Sequence, residues 1–297
     1  MEKDPSNPTT GTKRSWEGIP LHSNLSTLQS STATSNMGES SPNMLSMFGS
    51  FCDELDSHHD RRERLIKISR DITALSKKII FSLQRVRTSG TPIPASITKD
   101  TQPRLTQINE LFLSAIPDIT SLNGYRYLRQ ISPGIQEFIE ALSFKHYLET
   151  QSLITLSEVK THLPPQILIT EEDYMMGLFD LTGELMRFAV TSLSAGSHTD
   201  SISEEGNGEN EGEPRLPTLL PAQAGVVRDL REIRAEFESI TIPRRGNMLR
   251  DYWKKSEVMQ ASVEKVERAA YGILVRGSER PKGWKPDLSA GVEMEIY

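Results

Sequence analysis

From Asn43 to Arg87 large apolar residues return mostly every three or four positions, and after Gly49 no proline or glycine interrupts the run. Phe51, Leu55, Leu65, Ile68, Ile72, Leu75, Ile79 and Leu83 carry the repeat. That period predicts one long amphipathic helix, roughly 60 Å at about 1.5 Å per residue. Such a helix must bury its apolar stripe against neighbours. Its other face carries Arg61, Arg62, Arg64, Lys67, Arg70, Lys77 and Lys78. Those cations read either as a solvated surface or as a rail for phosphates.

The remaining ordered sequence reads the same way. Ser89–Pro94 stops the first helix, and helices are predicted over about 97–115 and 119–129. Ser132-Pro133 opens another through about Thr150, with the proline in the first turn. Leu156-Ser157 starts a short turn. Thr170-Glu-Glu-Asp173 has the spacing of a capping box for a helix to about Leu193. Two more follow over about 223–240 and 248–276. No strand alternation and no internal repeat interrupt this pattern. The expected fold is all-α, an antiparallel bundle of about seven helices. Apolar residues make up only 36% of the 297 residues, below the average for a compact domain. Polar segments account for the dilution. Residues 1–42 are rich in Ser, Thr, Asn, Pro and Gly, and residues 195–222 in Gly, Glu and Ser. The first is expected to be a disordered extension, the second a flexible insertion and 282–297 a mobile tail, around a helical domain spanning 43–281.

Composition excludes several function classes. A single cysteine, Cys52, rules out a disulfide within the chain or a cysteine-built zinc site. No apolar run approaches the roughly 20 residues of a membrane span. The first residues lack the apolar segment of a secretory signal. Cytosol, nucleus or both are the expected location, although Lys13-Arg14 is a poor nuclear signal. A net charge of -6 argues against coating nucleic acid nonspecifically. It leaves room for an enzyme that contacts a few nucleotides.

Chemistry concentrates in two segments. In Ile135–Leu148, the side chains of Ile135, Phe138, Ile139 and Leu142 cover one helix face, and those of Ala141, Phe144 and Leu148 the opposite one. Glu137 and Glu140 lie on that second apolar face, about 60° apart. Burying two like charges there is costly unless a cation or proton compensates. In Tyr174–Arg187, Asp180 and Glu184 share a narrow polar strip between two apolar stripes, at i and i+4. Oxygen-only ligands on facing helices suit Mg²⁺ or Mn²⁺. Such an ion polarises a phosphodiester and activates water. Against this stand blander readings. Glu137 is also explained as a partly exposed acid, and Glu184 as a partner of Arg187 at i+3. Spacing alone does not say whether the two helices face each other.

Other candidates are weaker. His58 and His59 diverge by about 100° on a helix and chelate poorly together. Trp16, Trp253 and Trp284 offer stacking surfaces for bases, with Trp253 better suited to packing. Cys52 has no neighbour that would activate it, and Ser and His form no triad motif.

FCDELDSHHDRRERLIKISRDITALSKKIIFSLQRV (51–86), GIQEFIEALSFKHYLETQSLI (134–154), DYMMGLFDLTGELMRFAV (173–190) and KVERAAYGILVRGSERP (265–281) together resemble the translin family, in its translin-associated factor X (Trax) branch. The resemblance covers most of 43–195 and 223–281. It implies an all-helical bundle that assembles with translin into a hollow hetero-octamer. It implies an Mg²⁺-dependent endoribonuclease, Mn²⁺ being a second candidate ion, that cleaves single-stranded or nicked RNA in RNA silencing and RNA fragment processing. Single-stranded DNA is a further possible ligand. The family's catalytic carboxylates fall on Glu137, Glu140 and Asp180, with Glu184 a fourth acidic position around the metal. The 195–222 insertion and an N-terminus without a dense basic cluster depart from the family pattern. Two other readings keep the same fold. One is a non-catalytic assembly subunit that stabilises translin. The other is nucleic-acid binding without cleavage. All three imply poor solubility for the chain alone and rescue by co-expressed translin.

Overall fold

Helical periodicity is realised in eight α-helices among the described residues, and no strand occurs there. The structure, a computed structural model, describes residues 44–196, 219–241 and 251–276. The chain divides into two compact units, Met1–Gly49 and Ser50–Tyr297. Described residues of the first unit are 44–49, the opening turns of α1. Packing and sites below belong to the second. The helices are α1 (Met44–Leu83), α2 (Ala95–Ala115), α3 (Asn123–Arg126), α4 (Leu128–Thr150), α5 (Leu156–Thr161), α6 (Glu171–Gly196), α7 (Pro221–Ser239) and α8 (Tyr252–Arg276), with a 3₁₀ turn at Ile116–Asp118. Nearly all of the expected extension, insertion and tail lies outside the described residues. Where the insertion was expected to begin and end, α6 continues to Gly196 and α7 starts at Pro221.

α6 is the central element, packed against α4, α7 and α8. Its residues Leu181 and Leu185 are wholly buried, as are Ile135, Ile139, Phe144 and Leu148 of α4. Burial of each such side chain contributes about 1.5–3 kcal/mol. Two glycines set how closely the helices approach. A Cβ at Gly177 of α6 would fall 2.7 Å from Ile139 Cγ2 on α4. One at Gly134 of α4 would fall 2.9 Å from the Ser69 carbonyl oxygen on α1. The capping box forms as its spacing predicts. Asp173 N–H donates to Thr170 Oγ1 at 3.0 Å, and Thr170 N–H to Asp173 Oδ2 at 3.4 Å. Asp173 is only 1% exposed, because its carboxylate also accepts from Ser132 Oγ and Gln136 Nε2 of α4. The start of α6 is thereby keyed to one turn of α4.

Two expectations need correction. The helix expected over 119–129 is instead a bend and turn over 119–122, the single turn of α3 and, from Leu128, the start of α4. Ser121 takes a left-handed conformation (φ 58°), which ends any continuous helix there. The following helix begins at Leu128, so Pro133 lies inside α4 rather than in its first turn. A proline inside a helix removes one ladder bond. Tertiary contacts with α1 hold the turn: Gly134 N–H donates to Ser69 Oγ at 3.0 Å.

Candidate metal and catalytic centre

Glu137, Glu140, Asp180 and Glu184 line one cleft of about 600 Å³. The first two come from α4 and the last two from α6, at a level set by the close approach at Gly177. α1 closes one side with Lys77, Ile80 and Phe81, Gln84 follows from the turn just past it, and α8 contributes Val258. The juxtaposition that helical spacing left open is therefore present: the two acidic pairs face a common space.

Three of the four carboxylates already have cationic neighbours. Lys255 Nζ of α8 donates to both oxygens of Asp180, at 2.6 Å to Oδ1. Arg187 donates to Glu184 Oε1, as the i+3 spacing allows. Gln84 Nε2, in the turn after α1, donates to Glu184 Oε2. Lys77 Nζ stands 3.8 Å from Glu137 Oε2. Glu140 differs. It is 7% exposed, and among the described residues no side chain donates to its carboxyl. Burial, then the charges of Glu137, Asp180 and Glu184, push its pKa up to about 8, against a smaller opposing effect of Lys255. Burial chiefly raises Glu137 as well, with Lys77 opposing. At neutral pH Glu140 therefore keeps its proton unless more positive charge enters the cleft.

The donor chemistry fits a hard divalent cation: four carboxylates, no soft ligand and one buried acid short of compensating charge. As the side chains lie, no group of three or more His, Cys, Asp or Glu among the described residues is gathered closely enough to hold an ion. Lys255 and Arg187 hold the Asp180 and Glu184 carboxylates, so loading a cation requires these side chains to exchange partners.

Lys77, Gln84 and Lys255 escaped sequence reasoning. Gln84 and Lys255 lie 100 and 75 residues from the acids they bind, and no local periodicity links them. Lys77 was visible only as one cation of seven. His58 contacts Tyr127 Oη and Arg126 rather than pairing with His59. Trp253 is 52% exposed and packs edge-on against Tyr252, ring centres 5.4 Å apart. Cys52 is exposed and in no disulfide. Trp16, Trp284 and Lys13-Arg14 lie outside the described residues. No helix of the described residues is long and apolar enough to cross a membrane.

Residues 60–277 match the family model described as Translin family. Translin-associated protein X of Rattus norvegicus is 32% identical over 274 residues, covering 84% of each chain. Translin-associated protein X homolog of Schizosaccharomyces pombe is 29% identical, covering 78% of this chain and 89% of that one. Human translin is 22% identical, over 75% of this chain and 89% of its own. Among solved structures, apo-NeC3PO aligns with a TM-score of 0.54 at 15% identity, covering 76% of this chain and 96% of that chain. AfC3PO aligns at 0.51 and 19%, covering 75% and 94%. These structural likenesses speak for the fold.

Proposed function

Because the chain belongs to the translin family and resembles translin-associated protein X more than translin, we propose that it is the catalytic subunit of a translin hetero-oligomer. That complex would be a Mg²⁺-dependent endoribonuclease acting on single-stranded or nicked RNA, serving RNA silencing and RNA fragment processing. One observation carries the proposal: Glu137, Glu140, Asp180 and Glu184 open into one cleft, with a buried acid among them that lacks a counter-charge.

In this reading the four carboxylates hold Mg²⁺ or Mn²⁺. When bound, the ion supplies a Lewis acid for the scissile phosphate and a water that loses its proton near neutral pH. The chain's own residues do the rest. Glu140 would give up its proton to serve as a ligand, and Gln84, in the turn after α1, keeps Glu184 oriented. Lys255 leaves Asp180 and becomes a cation available to a polyanion at the cleft. The acidic cluster would repel a scissile phosphate until a cation neutralises it, so the ion would be needed for RNA to enter the cleft rather than to bind beside it.

The ion pairs favour a second reading. With Lys255 on Asp180 and Arg187 on Glu184, the cluster also works as a structural network in a non-catalytic subunit that stabilises translin. Cleavage of a fluorescent single-stranded RNA by the reconstituted complex, with Mg²⁺ or with chelator, separates the two. A Glu137→Ala plus Glu140→Ala variant should assemble normally and lose essentially all cleavage. Full activity in that variant would exclude these catalytic roles and leave the assembly reading.

A further inference from the structure

α1 and α4 enclose a second opening of about 780 Å³ beside the carboxylate cleft, and Lys77 lines both. The other charged residues of this groove are Arg62 and Arg70 from α1 and Arg129 from α4. No acidic residue lines it. Four cations around one concavity, in a chain of net charge -6, are not an ordinary solvated face, where both signs intersperse. The rest of the α1 cations behave differently. Arg64 is held by Asp118 through two hydrogen bonds of 2.9 and 2.7 Å. Arg61, Lys67 and Lys78 do not line the groove.

Arg62, Arg70 and Lys77 fall at i, i+8 and i+15, within about 80° of one another around the helix. They rise along α1 in steps of about 12 Å and 10 Å toward the carboxylates. Among the described residues Arg62 pairs only with its exposed neighbour Glu63, at 3.1 Å. Arg70 and Arg129 are in no ion pair among the described residues. Ile66, Thr73, Ala74 and Pro133 give the floor an apolar, small-residue character. Guanidinium groups take phosphate oxygens in a bidentate fork and also stack on unpaired bases. A line of cations over an apolar floor suits one flexible strand, not the two backbones of a duplex.

We propose that the α1–α4 groove binds the backbone of single-stranded RNA and leads it past Lys77 into the carboxylate cleft. This rests on the nuclease reading for its destination, but the binding itself does not. The full chain, in complex with translin, is titrated against end-labelled oligouridine and oligoadenosine in chelator, with binding read by fluorescence anisotropy over a salt series. Replacing Arg62, Arg70 and Arg129 together by Gln should weaken binding about tenfold or more at ~0.1 M salt, equally for both sequences, and lower the salt slope by about 2, near 0.7 per lost contact. Replacing Arg61, Lys67 and Lys78 by Gln removes the same charge and should leave the slope nearly unchanged. In the presence of Mg²⁺, the groove variant should raise KM while keeping kcat at saturating RNA.

Glu140→Gln separates this inference from the reading it builds on, since that variant should bind RNA normally in chelator. If it cleaves RNA fully, the catalytic assignment falls and the groove stands on its binding data. If the Arg62, Arg70 and Arg129 variant keeps parental affinity and salt slope, the groove inference is overturned, whatever Glu140→Gln does. Should that variant fail to assemble, Arg129→Gln alone must lower the slope by about 0.7 and the triple Arg→Lys variant must keep it. An unchanged slope in Arg129→Gln likewise overturns the inference.

Discussion

Glu140 concentrates the electrostatic problem of this fold. Its pKa in the folded chain is about 8, against 4.5 for a free side chain. A raised folded-state pKa means that the fold binds the proton more tightly than the unfolded chain does. The associated stability is complete below about pH 4.5 and is lost as pH rises through about 8. Metal-free protein should therefore lose on the order of a few kcal/mol across that window. Thermal melts against pH should show the decline in the parent, a shallower one in Glu140→Gln, where the raised Glu137 still titrates, and partial flattening when Mg²⁺ is added to the parent. A parent profile as shallow as that of Glu140→Gln would contradict the burial account. Lys255 opposes the rise at Glu140, so Lys255→Met should steepen the decline while freeing Asp180 for a divalent ion. Tighter Mn²⁺ binding by that variant is the expected calorimetric result, and weaker binding would show Lys255 to be a needed support. The acids of the site were legible because like charges on two-sided apolar helices demand an explanation. Their cationic partners were not, because Lys255 and Gln84 reach the site only through tertiary packing.

At the scale of elements, the centre depends on how α6 meets α4. Gly177→Ala places a methyl group 2.7 Å from Ile139 Cγ2 in a packed core, so it should cost about 1–3 kcal/mol and displace Asp180 relative to Glu140. Thr170→Ala should cost about 1 kcal/mol through loss of the cap alone. Urea melts report the two costs. RNA cleavage should fall further for Gly177→Ala than for Thr170→Ala at matched stability, and equal activities would detach the site from this helix contact. The long helices were legible from their period, and α6 from its capping box. Two features resisted. Pro133 reads as a helix start because prolines favour first turns, yet Ser69 of α1 satisfies the backbone beyond it and α4 extends five residues upstream, to Leu128. The stretch around Ile119 has helical spacing, but the left-handed Ser121 breaks it, two residues before the turn-favouring Asn123-Gly124 pair.

For the whole molecule, exposed apolar side chains point to partners. Leu55, Phe81, Leu122, Tyr125 and Tyr271 are all more than half exposed, side chains that a partner would cover. Expressed alone, the chain should aggregate, and co-expressed translin should bring it into a defined hetero-oligomer by gel filtration. A soluble, monodisperse monomer would count against assembly as its native state. Within such a complex, the α1–α4 groove would deliver RNA and the α4–α6 cleft would cut it. Everything catalytic in that scheme depends on the cleft holding a divalent ion, so the most direct measurement is titration of the assembled complex with Mn²⁺, followed by electron paramagnetic resonance. We expect bound Mn²⁺ in the parent complex, displaced by excess Mg²⁺, and its loss in an equally well assembled Glu140→Gln plus Asp180→Asn variant. Identical Mn²⁺ binding by parent and variant, or none by either, would contradict the account.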